Sequence, residues 1–398
     1  MADIIDYVRE QQDSFAERPL NRVDSLVLSW LANFWIPDAL TEIRSEKGMS
    51  LSELLEKSRL TEMCAPLHNW EASEKLAQAA AASGRFSSVI ACLHEENWSQ
   101  KNEEQFSATS YRIPDGSTYV AFRGTDNTLL GWKENFNMAF QSPIPAQASA
   151  HAYLSRVAQS CEGPLYVGGH SKGGNLAVYA TMRADESVRK RVTRCFSHDG
   201  PGMTAATTHD AAWTDAWELV DKTIPDQSLV GLLFEEHWQD CTVVRSSKPG
   251  LMQHSPFTWL VEGCDFSCDK AISYDSYKTN KRLQSWLSEM NAAERERLVE
   301  VLYKLVRASG EVTFSGLVQS LSDGSLNLML QRLDNLPEAD RAFFIDAAEN
   351  LAATMLLGPA PTQAETPTER ASDAASRIDD ATARFNDRLS ELERRAGL

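Results

Sequence analysis

The stretch Leu165–Ala180, LYVGGHSKGGNLAVYA, sets paired glycines on both sides of Ser171 between an apolar run and a second apolar segment. Leu165 to Val167 reads as a strand and Leu176 to Tyr179 as part of a helix, so Gly169-His170-Ser171-Lys172-Gly173 falls on a strand-to-helix turn of the form G-x-S-x-G. In such a turn main chain lies against main chain, and a Cβ at the flanking positions would clash. The serine would then stand exposed at a helix N-terminus, where free N–H groups and the helix dipole favour a nearby oxyanion. The other reading is a glycine-rich turn that binds phosphate or only packs. A serine cannot perform nucleophilic chemistry alone, so the rest of the chain decides between them.

Outward from this turn, strand and helix signals alternate. STYVAFRG (117–124) and FSATSYRIP (106–114) read as strands around an Asp115-Gly116 hairpin turn, preceded by the strand-like SSVIACLHEE (87–96). AQASAHAYLSRVAQSC (146–161) and GGNLAVYATMRADE (173–186) read as helices, and VTRCFSHDG (192–200) and CTVVRSS (241–247) as further strands. This repetition predicts an α/β protein with a mainly parallel central sheet covered by helices, whose site lies along the strand C-termini. Residues 1 to about 85 read as mostly helical, and Val23, Leu26, Leu28, Leu31 and Phe34 are spaced as an apolar helical stripe. After about residue 280 the pattern turns helical again, in AAERERLVEVLYKLVRAS, FSGLVQSLS and ADRAFFIDAAENLAATMLL. The expected organisation is a main domain over 1–280, a helical extension over 281–357, a Pro/Thr/Glu-rich linker over 358–369 and an amphipathic helical tail over 370–398. In the tail Ala374, Ile378, Ala381, Phe385 and Leu392 form a short coiled-coil-like stripe broken at Arg388, which permits self-association or loose packing on the body.

Composition narrows the partners. The net charge is −17 in a chain of 398 residues, which argues against nucleic acid or an anionic membrane surface as the main partner. No window holds about 18 uninterrupted apolar residues, so no transmembrane helix is expected. MADIIDYVREQQDS lacks the features of a secretory leader, and the seven scattered cysteines suit reduced thiols, so the expected location is the cytoplasm. Cys241, Cys264 and Cys268 lack the second close pair of a zinc finger, and no metal or other cofactor is expected.

Partners for Ser171 are present in order. An oxyanion hole needs one main-chain N–H from the residue after the nucleophile and another from an earlier strand–helix loop. Those would be Lys172 and, in YVAFRGTD (119–126), Thr125, with Arg123 and Asp126 able to pin the loop or to form a surface ion pair. Four histidines follow Ser171. His254 lies in a loop just after the strand-like CTVVRSS, where a base is expected. His237 reads as a surface residue on a helix, and His198 could line the pocket. His170, beside the serine, points away in an elbow and reads as a packed core histidine. Between serine and base, either Asp199 or Asp226 could hold the imidazole. Asp199, ending the strand after the nucleophile helix, is favoured. Asp226 equally suits a helix N-cap. The segment 127–145 adds Leu129, Leu130, Trp132, Phe136, Met138 and Phe140 beside the oxyanion loop, as a lid or acyl pocket (Trp132, Phe136, Met138) or as a core-packing crossover.

Together IIDYVREQQDSFAERPLNRVDSLVLSWL, YVAFRGTDNTLLGWKENFNMAF, GGHSKGGNLAVYA, DGPG and SSKPGLMQHSPFTW resemble the bacterial Mbeg1-like family, over about residues 3–275. That family is similar to the class 3 lipases of the α/β-hydrolase fold. The resemblance implies that fold, Ser171 as nucleophile, His254 as base and Thr125 as an oxyanion donor, with Asp199 inside the Asp-Gly-Pro-Gly motif. Class 3 lipases take their acid from a segment resembling that around Asp226, where this chain has Ser228 in place of aspartate. The expected activity is hydrolysis of a small-molecule or lipid carboxylic ester by a Ser-His-Asp triad through an acyl-enzyme. The same triad could cleave an amide, and a catalytically inactive scaffold is the reading from a different class.

Overall fold

The computed structural model describes residues 2–67, 69–125, 129–138, 140–208, 211–235, 237–308 and 336–357. The strands are β1 (Met49–Ser50), β2 (Ile90–Ser99), β3 (Glu104–Arg112), β4 (Thr118–Phe122), β5 (Leu165–His170), β6 (Val192–His198), β7 (Val220–Pro225), β8 (Thr242–Val244), β9 (Val261–Glu262), β10 (Asp265–Phe266) and β11 (Cys268–Asp269). The helices are α1 (Ile4–Glu10), α2 (Arg22–Leu31), α3 (Leu51–Leu54), α4 (Lys57–Cys64), α5 (Trp70–Ala82), α6 (Leu129–Asn137), α7 (Pro145–Ser160), α8 (Lys172–Arg183), α9 (Glu186–Arg189), α10 (Ala205–Thr208), α11 (Ala211–Trp217), α12 (Tyr274–Glu289), α13 (Ala292–Ala308) and α14 (Glu338–Leu357).

Nine strands form one mixed sheet in the order β1-β2-β3-β4-β5-β6-β7-β8-β11. The edges are antiparallel: β1 to β4 on one side and β8–β11 on the other. The centre, β4 through β8, is parallel. Crossing helices are needed to join parallel neighbours, and α7 and α8 do so on either side of β5. Two-residue periodicity sends alternate side chains to opposite faces. Tyr119 and Ala121 of β4 join one core with α1, α2 and α5, whereas Val120 and Phe122 join the other with α7 and α8. Each large apolar side chain fully removed from water in these cores contributes about 1.5–3 kcal/mol.

The expected stripe Val23, Leu26, Leu28, Leu31 and Phe34 lies in the core. The opposite face of α2 is buried as well, because its polar groups find partners inside. Asn21 caps the helix by accepting from Val23 and Asp24 N–H, and Asp24 returns a bond to Asn21 N–H. Asp24 then pairs with the buried Arg85 at 2.6 Å and accepts from Tyr7 Oη at 2.8 Å. Ser25 and Ser29 each meet Tyr119 Oη at 2.7 Å, stitching α2 to β4.

Three features differ from the sequence reading. Val220–Pro225 is a full strand of the parallel sheet, although the charges of VDKTIP obscured it. The segment 127–145 contains a helix, α6, and α12 begins at Tyr274. The α12, α13 and α14 helices share a core of Trp286, Leu298 and Ala347. Their contacts with the body include Gln284 Nε2 donating to Leu232 O and Glu235 O at 3.1 and 3.2 Å, the Tyr277 ring 4.7 Å from that of Trp238, and Lys133 of α6 paired with Glu300 at 2.6 Å. FSGLVQSLS, the linker and the tail lie outside the described residues. Among the described residues no helix is long and apolar enough to cross a membrane.

Candidate active site

The C-termini of the central strands are in register. Phe122 of β4 pairs with Gly169 of β5, and His170 pairs with His198 of β6. Ser171 and Asp199 are therefore the next residues out on neighbouring strands. Ser171 has φ 57° and ψ −128°, a conformation that strains a side-chain-bearing residue by about 1–3 kcal/mol. It is held there by its N–H donating to His198 O at 2.9 Å and its carbonyl accepting from Gly174 N–H at 2.9 Å. A Cβ on Gly169 would lie 2.2 Å from the carbonyl carbon of Gly173, and one on Gly173 would lie 2.1 Å from Phe122 O. The glycines around the serine thus answer a steric requirement of the turn.

Asp199, also at positive φ (50°) and fully buried, directs Oδ2 to Nδ1 of His254 at 2.6 Å. Its Oδ1 accepts from the Ser228 hydroxyl, and its N–H donates to Thr223 O at 2.7 Å. Ser228 therefore serves the carboxylate of Asp199. Asp226 is turned elsewhere: its Oδ1 accepts from Ser273 N–H at the start of α12.

His254 ends the short 3-10 turn Gly250–His254 with its side chain about one-third exposed. Several contacts hold this loop. Trp259 Nε1 donates to Gln253 O at 2.7 Å, and Asn69 donates to the Ser255 hydroxyl at 3.0 Å. Nε2 of His170 lies 2.9 Å from His254 O, and since a carbonyl only accepts, that nitrogen carries the proton. Burial, followed by the nearby His254, pushes His170 down to about 3, so it stays neutral and can accept at its other nitrogen. Its ring packs edge-on against Trp30 and lies 4.7 Å from that of His254, in agreement with the packed role expected for it.

His198 does not line a pocket. It is fully buried, bridging Ser25 Oγ at 2.9 Å and Thr223 Oγ1 at 2.7 Å, and desolvation holds it neutral with a value near 3. His237 lies just before a 3-10 turn rather than on a helix, stacked on Trp217 at 4.4 Å. Sequence reasoning missed this contact because the two residues are twenty positions apart.

At the expected oxyanion positions, Lys172 is the first residue of α8, so its N–H has no partner within the helix. Its side chain is buried and donates to Gln105 O at 2.5 Å, Gln105 Oε1 at 2.6 Å and Glu134 Oε2 at 2.9 Å. The loop after β4 is anchored by Gly124 N–H donating to Asn33 Oδ1 at 3.0 Å, and the Thr125 hydroxyl accepts from the Asn135 amide. Arg123 pairs with Glu96 at 2.7 Å, while Asp126 lies outside the described residues. Of the residues expected in a pocket, Phe136 is exposed and Met138 is buried in the core with Phe106 and Val120. The side chain of Trp132 lies outside the described set. Among the described residues no group of three His, Cys, Asp or Glu side chains is placed to hold a metal ion.

A family model described as Mbeg1-like matches residues 80–304, more than half of the chain, and the protein belongs to the Mbeg1-like family. The match starts in the last turn of α5, although the sequence of the earlier helices contributed to the resemblance, and it extends into α13. A search of curated proteins returned no match. Among solved structures the chain is similar to one described as the native Rhizomucor miehei lipase propeptide complex. Identity is 13%, coverage is 55% of this chain and 76% of that chain, and the TM-score is 0.30, too low to bear on the fold.

Proposed function

We propose that this protein is a serine hydrolase of the α/β-hydrolase type that cleaves carboxylic esters, with Ser171 as nucleophile, His254 as base and Asp199 as the triad acid. The observation that carries the reading is the 2.6 Å contact from Asp199 to His254 Nδ1, made from the strand neighbouring a strained serine turn. A buried carboxylate on Nδ1 fixes the imidazole tautomer and leaves Nε2 free to take a proton. In the proposed cycle His254 Nε2 removes the hydroxyl proton as Ser171 Oγ attacks the ester carbonyl. The developing oxyanion is met by the main-chain N–H groups of Thr125 and Lys172. His254 then gives its proton to the departing alcohol, leaving an acyl-serine. Water, deprotonated by the same imidazole, attacks the acyl-serine, releases the acid and restores Ser171. The acidic surface and the exposed Leu251 and Met252, on the turn that carries His254, and Phe136 of α6 suit an uncharged acyl group, in a small-molecule or lipid ester.

Hydrolysis of a p-nitrophenyl ester series tests this reading. Ser171→Ala should abolish turnover. Asp199→Asn should lower kcat by roughly 10³–10⁴-fold, the scale for loss of the orienting acid in such triads. Asp226→Asn should stay within about threefold of wild type. Turnover that survives Asp199→Asn and fails in Asp226→Asn would reassign the acid.

A further inference from the structure

Two adjacent residues of α6, neither in the triad, reach both residues assigned to the oxyanion hole. Glu134 is fully buried. Its Oε2 accepts from Lys172 Nζ at 2.9 Å and from Gln105 N–H at 3.1 Å, while Oε1 accepts from Ala146 N–H at 2.9 Å. One carboxylate therefore ties together β3, the first turn of α7 and the start of the nucleophile helix α8. The next residue, Asn135, donates its amide to the hydroxyl of Thr125.

Packing alone does not call for this chemistry. A buried ion pair is generally no more stabilising than well-packed apolar residues of similar volume, because both charges lose their water. An aliphatic residue at 172 would fill the same space. What the pair adds is geometric definition. Lys172 Nζ is engaged with three acceptors, on Gln105 and Glu134, so a long flexible side chain is fixed at its far end. The main-chain N–H at its root is the group on which the proposed chemistry relies. Thr125 lies beyond the end of β4, and among the described residues Asn135, through the Thr125 hydroxyl, and Asn33, through Gly124 N–H, restrain this stretch. Because Glu134 and Asn135 are consecutive on a rigid helix, the two donors are held relative to each other as well as to the body. A displacement of about 1 Å in a catalytic group can lower rate by roughly 100-fold.

We infer that Glu134 and Asn135 are positioning residues that set the spacing of the two oxyanion donors, Glu134 through Lys172 and Asn135 through Thr125. The inference rests on the hydrolase reading above. It also makes α6 part of the reaction machinery rather than a lid that must swing away.

The test compares wild type with Glu134→Gln and Asn135→Ala on a p-nitrophenyl ester and on a trifluoromethyl ketone of matching acyl length, which forms a tetrahedral adduct. Each variant should lower kcat by roughly 10- to 100-fold with KM within about twofold, in the range of losing part of one oxyanion donor. Affinity for the ketone should fall by the same factor as kcat/KM, and the shape of the pH profile should not change. A merely structural role would lower the thermal midpoint without this kcat and ketone signature. The double variant Glu134→Met/Lys172→Met, which replaces the pair by apolar side chains, should keep the thermal midpoint and show the same kcat loss. If the Glu134 variants do not fold, Asn135→Ala decides, since its side chain is only partly buried. Folded variants whose kcat and ketone affinity stay within about twofold of an active wild type would overturn this inference and leave the triad standing. A wild type that hydrolyses no ester and binds no ketone would overturn both.

Discussion

Acid should destabilise this protein from pH 6.5 downward, because three imidazoles are buried without charge. His94, His170 and His198 are each pushed down from the usual 6.5 to about 3, with burial as the main cause in every case. Nearby guanidinium groups add to it: Arg44 and Arg123 for His94 and Arg22 for His198. Above pH 6.5 both folded and unfolded chains hold neutral imidazoles, and the stability is fully present. Between pH 6.5 and 3 only the unfolded chain takes up these protons, so stability falls as pH falls. Each histidine contributes a slope of about 1.4 kcal/mol per pH unit, and three give roughly 4 kcal/mol per unit. By pH 4.5 the loss is about 8 kcal/mol, comparable with the whole stability of a typical domain, about 5–15 kcal/mol. The assay is urea unfolding followed by tryptophan fluorescence at half-unit steps from pH 7.5 to 4.5. Replacing His198 by Gln keeps a polar group toward Ser25 or Thr223, lowers stability at neutral pH and should reduce the pH slope by about a third. Wild-type stability that is flat between pH 6.5 and 5, or an unchanged slope in His198→Gln, would refute the reasoning.

Two further outcomes follow from packing. Gly173→Ala would place its Cβ 2.1 Å from a main-chain oxygen that cannot retreat without shifting β4, so the variant should lose several kcal/mol, roughly the size of severe core strain, and show a thermal midpoint many degrees lower. Arg85→Met leaves the Asp24 carboxylate buried beside Tyr7 and should cost about 3–5 kcal/mol in urea unfolding, whereas Asp24→Leu/Arg85→Met together should recover much of it.

The strand–turn–helix at Ser171 was legible because its chemistry is local: four glycines with steric reasons and two apolar runs. The parallel centre of the sheet was also readable, since the short apolar runs LYV of β5 and LAVYA of α8 alternate in strand–helix order ahead of β6. β7 was not read, because Asp221 and Lys222 interrupt its pattern, and each is neutralised by a partner outside the strand, Arg22 and Glu235. The choice between Asp199 and Asp226 turns on side-chain direction, which sequence does not carry. The roles of Ser228, Asn33, Glu134 and Asn135 depend on contacts across tens of residues between helices and loops, and a single polar residue gives no periodic signal. The Lys172 side chain is the extreme case: a lysine after a serine reads as a solvated charge, yet here it is buried beneath the turn.

The central claim is that Ser171 is a nucleophile activated by His254 and Asp199. It is tested most directly by exposing the full-length protein to a fluorophosphonate and measuring intact mass, then mapping the labelled peptide. A single covalent adduct is expected on the Ser171 peptide, lost in Ser171→Ala and slowed by several hundredfold or more in Asp199→Asn, roughly the scale of removing the triad acid. An adduct that persists in Ser171→Ala, or a wild type that remains unlabelled while it stays folded, would contradict it.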